Sequence, residues 1–308
     1  MTEPDEKIKS LQGIIGVINT PFTDDNRIDT ESIKRYVNHS IGNGVVGFLV
    51  PAMAAEVGKL TFDERREIVK IVVDEVRGKV IVIGGASATN QIDRINNVKM
   101  LTNIGCDGIL VSIPYENEGD YKRDIKEVAQ HVGGFLMIQD WDFDGFGIPV
   151  DTIVRLFDEI DVFKYLKVEV KPAGVKYSKV IEATNGKLHV SGGWAGTQMI
   201  EALDRGVNAF MPTILHDVYN RIFQLHQQGK RDDAIKLFNK LLPIISFSHQ
   251  HVDISIHFNK RLVHNQGMFS TPNVRQPILT FDKYHEKVSD ELIEYAIQLS
   301  SSLNHNKE

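Results

Sequence analysis

The sequence predicts an α/β fold, a (β/α)8 TIM barrel with a C-terminal helical extension. Three observations point there. A short apolar stretch, a Gly- or Pro-containing turn and an amphipathic helical pattern recur eight times along the chain. The apolar stretches are nearly continuous in Val, Ile, Leu and Phe rather than alternating, as expected of parallel strands buried on both faces. Eight such units fill about 230 residues, the size of a closed barrel. A doubly wound open sheet is the rival architecture, but no G-x-G-x-x-G stands at a first strand–helix turn to support it.

The elements follow in order. Strands are predicted over residues 14–19, 45–51, 80–84, 108–112, 135–139, 162–168, 188–191 and 209–212. The helices between and after them are predicted over 29–43, 61–77, 90–104, 120–132, 150–160, 176–185, 195–205 and 217–228. Asp29 and Thr61 are suited to N-capping, and Gly44, Gly78, Gly186, Gly206 and Gly229 stand where a left-handed residue closes a helix. Three further helices are expected over 232–248, 250–267 and 289–304, with a Pro-containing loop over 269–277. The expected organisation is therefore a barrel over 1–230 that carries the active site, and a helical extension over 231–308.

Composition narrows the function. The formal net charge of −6 argues against a nucleic-acid partner, whose phosphates call for a basic surplus. No apolar run is long enough to span a membrane, and residues 1–10 lack the apolar core of a secretory signal. Cys106 is the only cysteine, so no intrachain disulfide can form, and a cytoplasmic setting is expected.

In barrels of this kind the chemistry sits at the C-terminal ends of the strands. The sixth strand offers Phe163, Tyr165, Lys167 and Glu169 on one face and Val162, Lys164, Leu166 and Val168 on the other. The second row is mostly aliphatic and suits the helix layer, so the first is expected to face the barrel interior. A lysine there must be paired or neutral. A neutral amine is the nucleophile that imine formation requires. A structural ion pair to Glu169 is the other reading of the same pattern.

The order and spacing of short motifs resemble the dihydrodipicolinate synthase / N-acetylneuraminate lyase family of Schiff-base-forming aldolases and dehydratases. The likeness runs from Gly16 to about Phe281. It rests on Thr20-Pro21-Phe22 with Ile28-Asp29, on Glu56 with Leu60 and Glu64-Arg65, and on Gly84-Gly85 with Asn90. It continues through Pro114-Tyr115, Leu166-Lys167-Val168-Glu169, Ser191-Gly192 and the stretch from Gly206 to Pro212. The resemblance implies that Lys167 is the Schiff-base lysine of a carbon–carbon or carbon–oxygen lyase. The substrate would be pyruvate or a 2-oxo-3-deoxy sugar acid, with no cofactor or metal, in a homo-oligomer, commonly a tetramer. It also implies substrate contacts at Ala54, Ala55, Glu56, Ser191, Gly192 and Met211.

The departures bear on mechanism. Ala52-Met53-Ala54-Ala55-Glu56 stands where the family usually carries Gly-Thr-Thr-Gly-Glu, so both hydroxyls are gone. Backbone N–H groups of Ala54 and Ala55 could still hold a carboxylate, which needs no side chain. Gln139 replaces the tyrosine that serves the family as general acid/base; an amide can orient a carbonyl but not shuttle a proton. Asp144 stands near the place of an arginine that grips a second carboxylate, and Glu116 replaces a second tyrosine. Candidates for the displaced acid/base role are Glu56, Glu116, Asp140, Asp142 and Glu169; the resemblance gives Glu56 the role of bracing its loop rather than reacting, and Lys171 or Lys176 are alternative partners for Glu169. Asp140 and Trp194 are expected to contact substrate, and Trp141 and Trp194 offer an apolar wall at the mouth, or simply loop packing. Two other functions stay open: a barrel that binds a 2-oxo acid without turning it over, and a metal-dependent enzyme using Asp140, Asp142 and Asp144.

Overall fold

The computed structural model describes residues 11–304. The polar start over residues 1–10 lies outside them. Eight strands close into a barrel in chain order: β1 Gly13–Val17, β2 Gly47–Val50, β3 Ile81–Gly85, β4 Gly108–Val111, β5 Phe135–Asp142, β6 Phe163–Val170, β7 His189–Gly192 and β8 Ala209–Phe210. The helices are α1 Thr30–Gly42, α2 Phe62–Val76, α3 Gln91–Ile104, α4 Glu118–Ala129, α5 Val150–Glu159, α6 Ala173–Ala183, α7 Met199–Asp204 and α8 His216–Gln227. Then follow α9 Arg231–Ser248, α10 Val252–Asn265 and α11 Lys283–Asn304. The predicted fold class is the observed one.

By internal contacts the chain divides into two compact units. One holds residues up to Ile15, Val46–Leu49 and Ile81–Met211, and so contains β3 to β8 with helices α3 to α7. The other holds Gly16–Val45, Val50–Val80 and the chain from Pro212 onward, and so contains α1, α2 and α8 to α11.

Local chemistry sets the helix ends. Asp29 Oδ1 accepts from Ser32 N–H at 3.0 Å, and Thr61 with Glu64 forms a capping box. The five glycines expected to close helices all have positive φ. Helix α11 begins at Lys283, six residues before the predicted start, because Asp282 Oδ1 accepts from the N–H groups of Tyr284 and His285, both at 3.0 Å. Helix α7 begins later than predicted, because residues 194–196 form a separate 3-10 turn that opens with Trp194 at φ 50°.

One expectation about β6 is corrected. Its register against β5 shifts between Leu136 and Met137: Leu136 pairs with Phe163, and Met137 with Tyr165. The extra residue inverts the side-chain parity. Phe163 therefore leaves the inward row and packs edge-on against Phe157 of α5 at 6.3 Å between ring centroids. The inward row is Tyr165, Lys167 and Glu169. Tyr165 anchors its lower end, donating from its hydroxyl to Leu11 O at 3.1 Å and lying against the rings of Phe135 and His189.

Candidate active site

Lys167 and Glu169 stand near the C-terminal end of β6, 8% and 6% exposed. Lys167 Nζ lies 3.3 Å from Glu169 Oε2. Strand pairing places Gln139 of β5 and Ser191 of β7 at the level of Lys167, one on either side. Gln139 Nε2 donates to the same Glu169 Oε2 in a short hydrogen bond. Glu169 Oε1 accepts the backbone N–H of Trp194 at 2.9 Å. The predicted rim pair between Glu169 and Lys171 or Lys176 is thus replaced by three other donors.

The loop after β7 is shaped to this carboxylate. A Cβ on Gly193 would stand 2.7 Å from both Cδ and Oε1 of Glu169 and closer still to Cγ, so only glycine admits the side chain. Gly192 is held to glycine by packing, since a Cβ there would meet the Phe210 ring at 2.8 Å. Ser191 is fully buried, and its Oγ has no hydrogen-bond partner among the described residues. Its neighbour on β8 is Ala209, which offers only a methyl group. Met211, two residues beyond Ala209, is 3% exposed.

Asp140 does not belong with these residues. Consecutive strand residues face opposite ways, and Asp140 points into the helix layer. There its carboxylate lies 2.5 Å from Lys176 Nζ of α6 and accepts Ile148 N–H at 2.9 Å. Burial pushes the Asp140 carboxyl up, while Lys176 opposes the shift. Lys176, fully buried, is pushed down by burial and also donates to the carbonyls of Phe146 and Ile148. Asp142 caps the loop that follows β5, accepting from the N–H groups of Asp144, Gly145 and Gly147 at 2.8–3.0 Å. Asp140 and Asp142 are therefore occupied as braces. No group of three or more His, Cys, Asp or Glu side chains among the described residues converges to hold a metal ion.

In the other unit, the segment expected to bind a carboxylate is a 3-10 turn over Met53–Ala55. Ala55 N–H donates to Ala52 O at 2.9 Å and is spent within the turn, contrary to its expected role. Ala54 N–H stands in the first turn, where the helix supplies no acceptor. Asn19 and Thr20 side chains donate to the Ala54 and Ala55 carbonyls at 2.5 and 2.7 Å, fixing the segment from its other side. Glu56 follows at φ 57° with its carboxylate fully buried. It accepts from Lys260 Nζ, from Lys59 Nζ at 3.1 Å and from Arg275 N–H at 2.9 Å. Burial depresses the Lys260 ammonium to about 8 against the pull of Glu56. The Arg275 guanidinium grips Glu64 at 2.6 and 2.9 Å and holds that carboxyl at about 2. Glu56 is thus a brace, both of its carboxylate oxygens engaged by donors of the chain itself.

Three residues near the Lys167 cluster were not singled out by sequence. Phe143 lies 4.7 Å from both Trp141 and Trp194, ring centroid to centroid. Tyr177 of α6 reaches the loop at Gly193, its phenol pushed up by burial and by the charge of Glu169. His189 lies two residues below Ser191, its Nδ1 buried without a hydrogen-bond partner among the described residues. Strand alternation from Trp141 and from Ser191 was the available signal for Phe143 and His189.

Known proteins can now be set beside this geometry. A 4-hydroxy-tetrahydrodipicolinate synthase from Methanococcus vannielii is 28% identical over 240 residues, which is 76% of this chain and 82% of that protein. An L-2-keto-3-deoxyarabonate dehydratase from Azospirillum brasilense is 23% identical over 299 residues, 94% of either chain. Among solved structures, the dihydrodipicolinate synthase of Rhodopseudomonas palustris superposes with a TM-score of 0.85 at 20% identity, covering 94% of this chain and 98% of that one. The relatives are synthases and dehydratases, and this chain is an enzyme of the same lyase type. The model of the Dihydrodipicolinate synthetase family matches residues 10–296, nearly the whole chain, and the protein belongs to that family.

Proposed function

We propose that the protein is a Schiff-base-forming lyase, an aldolase or dehydratase, that acts on pyruvate or a 2-oxo-3-deoxy sugar acid through Lys167. One observation carries the reading: a buried lysine at the active end of β6, 3.3 Å from a carboxylate that Gln139 and the Trp194 N–H also hold. Lys167 attacks the C2 carbonyl once its ammonium has lost a proton, and Glu169 is placed to accept it. The carbinolamine expels its C2 oxygen as water, taking up a proton on the way, and leaves a protonated imine. That cation draws electrons from C3, so either a C3 proton or the C3–C4 bond is released to the enamine. Where the C3 proton has passed to Glu169, that proton can be returned to a C4 hydroxyl, which departs as water as the enamine electrons re-form the imine; the Azospirillum relative is named as a dehydratase.

Glu169 serves in this reading as the proton carrier in place of the family's tyrosine, with Gln139 as its orienting donor. Asp144 is exposed at the end of β5 and offers no grip for a second carboxylate, which favours a substrate with one. Ser191, Gly192, Trp194 and Met211 form the remaining contacts. We place the enzyme in the cytoplasm as a homo-oligomer, dimer or tetramer, to be tested by fractionation and analytical ultracentrifugation. Among the described residues no helix is long and apolar enough to cross a membrane.

The test is intact-mass spectrometry after incubation with pyruvate or a 2-oxo-3-deoxy pentonate and sodium borohydride. Wild type should gain the mass of one reduced adduct, and Lys167→Ala should gain none. An equal adduct on both proteins, or none on wild type with any 2-oxo acid, would refute the assignment.

A further inference from the structure

The two neutral donors of Glu169 reach it from the ends of β5 and β7, and helix α6 takes hold of both ends. It does so with two adjacent residues, Lys176 and Tyr177. Tyr177 lies against the end of β7, where a Cβ on Gly192 would stand 3.4 Å from its hydroxyl. Lys176 enters the loop after β5 and is fully buried there.

An ammonium has three N–H donors, and three oxygens meet Lys176 Nζ: Asp140 Oδ2 at 2.5 Å, Ile148 O at 2.5 Å and Phe146 O. Asp140 Oδ1 in turn accepts from Ile148 N–H at 2.9 Å, so Ile148 is gripped through both of its polar backbone atoms. Gly147 just before it takes φ 67°, and a Cβ there would collide with Asp140 Oδ1 and stand 2.7 Å from Val170 Cγ1. Asp142 holds the N–H groups of Asp144, Gly145 and Gly147. The loop up to Ile148 is thus wound round one ammonium and two carboxylates.

That winding bears on Glu169 twice. Asp140 follows Gln139 on β5, so the peptide between them carries the restraint to the amide that donates to Glu169 Oε2. Phe143, just past the end of β5, lies edge-on against Trp194 at 4.7 Å and 74° between rings, and Trp194 N–H donates to Glu169 Oε1 at 2.9 Å. Stability alone does not call for a charge at 176, since apolar residues of the same volume often serve a core as well as a buried ion pair. Apolar residues would leave the carbonyls of Phe146 and Ile148 without this donor, so it is the path of the loop that needs the ammonium.

We infer that Lys176 is a positioning residue of the active site: it fixes the end of β5 and the loop beyond it so that the Gln139 amide and the Trp194 N–H stay on Glu169. The inference rests on the Schiff-base reading for what Glu169 does, and its test separates the two.

The perturbation is Lys176→Met, which keeps the length of the side chain and removes its donors. If that variant does not fold, Asp140→Asn and Lys176→Met in one protein remove the pair without leaving a lone buried charge. The full-length protein is assayed for the rate of borohydride-trappable imine formation from pyruvate or a 2-oxo-3-deoxy pentonate, with and without Glu169→Gln. We expect Lys176→Met to slow trapping about tenfold, part of the roughly 100-fold that a 1 Å displacement of a reacting group costs. In the Glu169→Gln background the same substitution should change the rate by a factor close to one, because the group it positions is already gone. A merely structural lysine would slow both alike. In a Trp141→Phe background Trp194 is the single tryptophan, and acrylamide should quench it more strongly once Lys176 is replaced. Equal slowing in both backgrounds, trapping by Glu169→Gln at the wild-type rate, or unchanged Trp194 quenching in a folded variant would overturn the inference. Absence of an adduct on wild type would strike the Schiff-base reading alone, and the quenching would still decide whether Lys176 holds the loop.

Discussion

Replacing Gly193 with alanine isolates the position of Glu169 from every other property of the site. Gly193 has φ −92° and ψ −165°, a conformation alanine adopts without strain, so Gly193→Ala adds one methyl group and no backbone penalty. That methyl would stand 2.7 Å from Glu169 Cδ and Oε1 and nearer to Cγ, where carbon atoms prefer about 3.5–4.0 Å. The carboxylate must retreat by about 1 Å or more. It then loses the Trp194 N–H at 2.9 Å, the Lys167 contact at 3.3 Å, or both. Overpacking of this kind costs about 1–3 kcal/mol of stability, and misplacing a reacting group by about 1 Å costs on the order of 100-fold in rate. The assay pairs urea unfolding with the rate of borohydride-trappable imine formation from a 2-oxo acid. We expect a folded variant, destabilised by about 2 kcal/mol, whose imine forms about 100-fold more slowly. Wild-type trapping kinetics in a variant that shows the stability loss would mean that Glu169 does not act on Lys167 chemistry.

Two further predictions follow from groups with unusual surroundings. Ser191→Ala removes a buried hydroxyl that has no partner among the described residues; the unliganded protein should be as stable as wild type or about 1 kcal/mol more stable, while the half-saturating 2-oxo acid concentration rises, and a stability loss with unchanged binding would show the hydroxyl to be structural. Glu64 is held at about 2 chiefly by its hydrogen bonds to Arg275, so its folded value lies below the unfolded one; the stability it contributes is present above about pH 4.5 and is lost as pH falls toward 2. Acid unfolding of Glu64→Gln should therefore be shallower than that of wild type across that window, and parallel curves would remove the pair from the account.

How far the sequence could be read depended on the range of the interaction. Lys167 and Glu169 share a face because period-two alternation holds over the upper half of β6, and that was legible. Phe163 was misplaced because nothing in the apolar pattern marks a one-residue bulge; it is set by how β6 meets β5. Asp140 could have been set apart by parity alone, since Gln139 and Asp140 are adjacent on one strand and cannot both face the interior. Its partner Lys176 was predicted to open a helix, and a buried lysine on that helix was itself a sign of a buried carboxylate nearby. That Glu56 braces its loop was legible from the motif it resembles, but its partners Lys260 and Arg275, 204 and 219 residues away, lie at distances no motif spacing encodes. Phe143 escaped because its segment read as loop, although β5 runs to Asp142 and carries the alternation up to it.

These placements change what the loss of the tyrosine at position 139 means. An amide cannot ionise, and read alone Gln139 suggests a disabled site. In the fold it donates to Glu169 Oε2, the oxygen that also faces Lys167. The carboxylate thus has three donors, and two of them, the Gln139 amide and the Trp194 N–H, keep the same charge throughout catalysis. Only Lys167 changes, from ammonium to amine to protonated imine. On the proposed mechanism the two neutral donors keep Glu169 in place while its cationic partner gives up its proton. A tyrosine at 139 could have supplied the proton itself. On the proposed mechanism the glutamine instead fixes the group that does, and the acid/base function moves from β5 to β6.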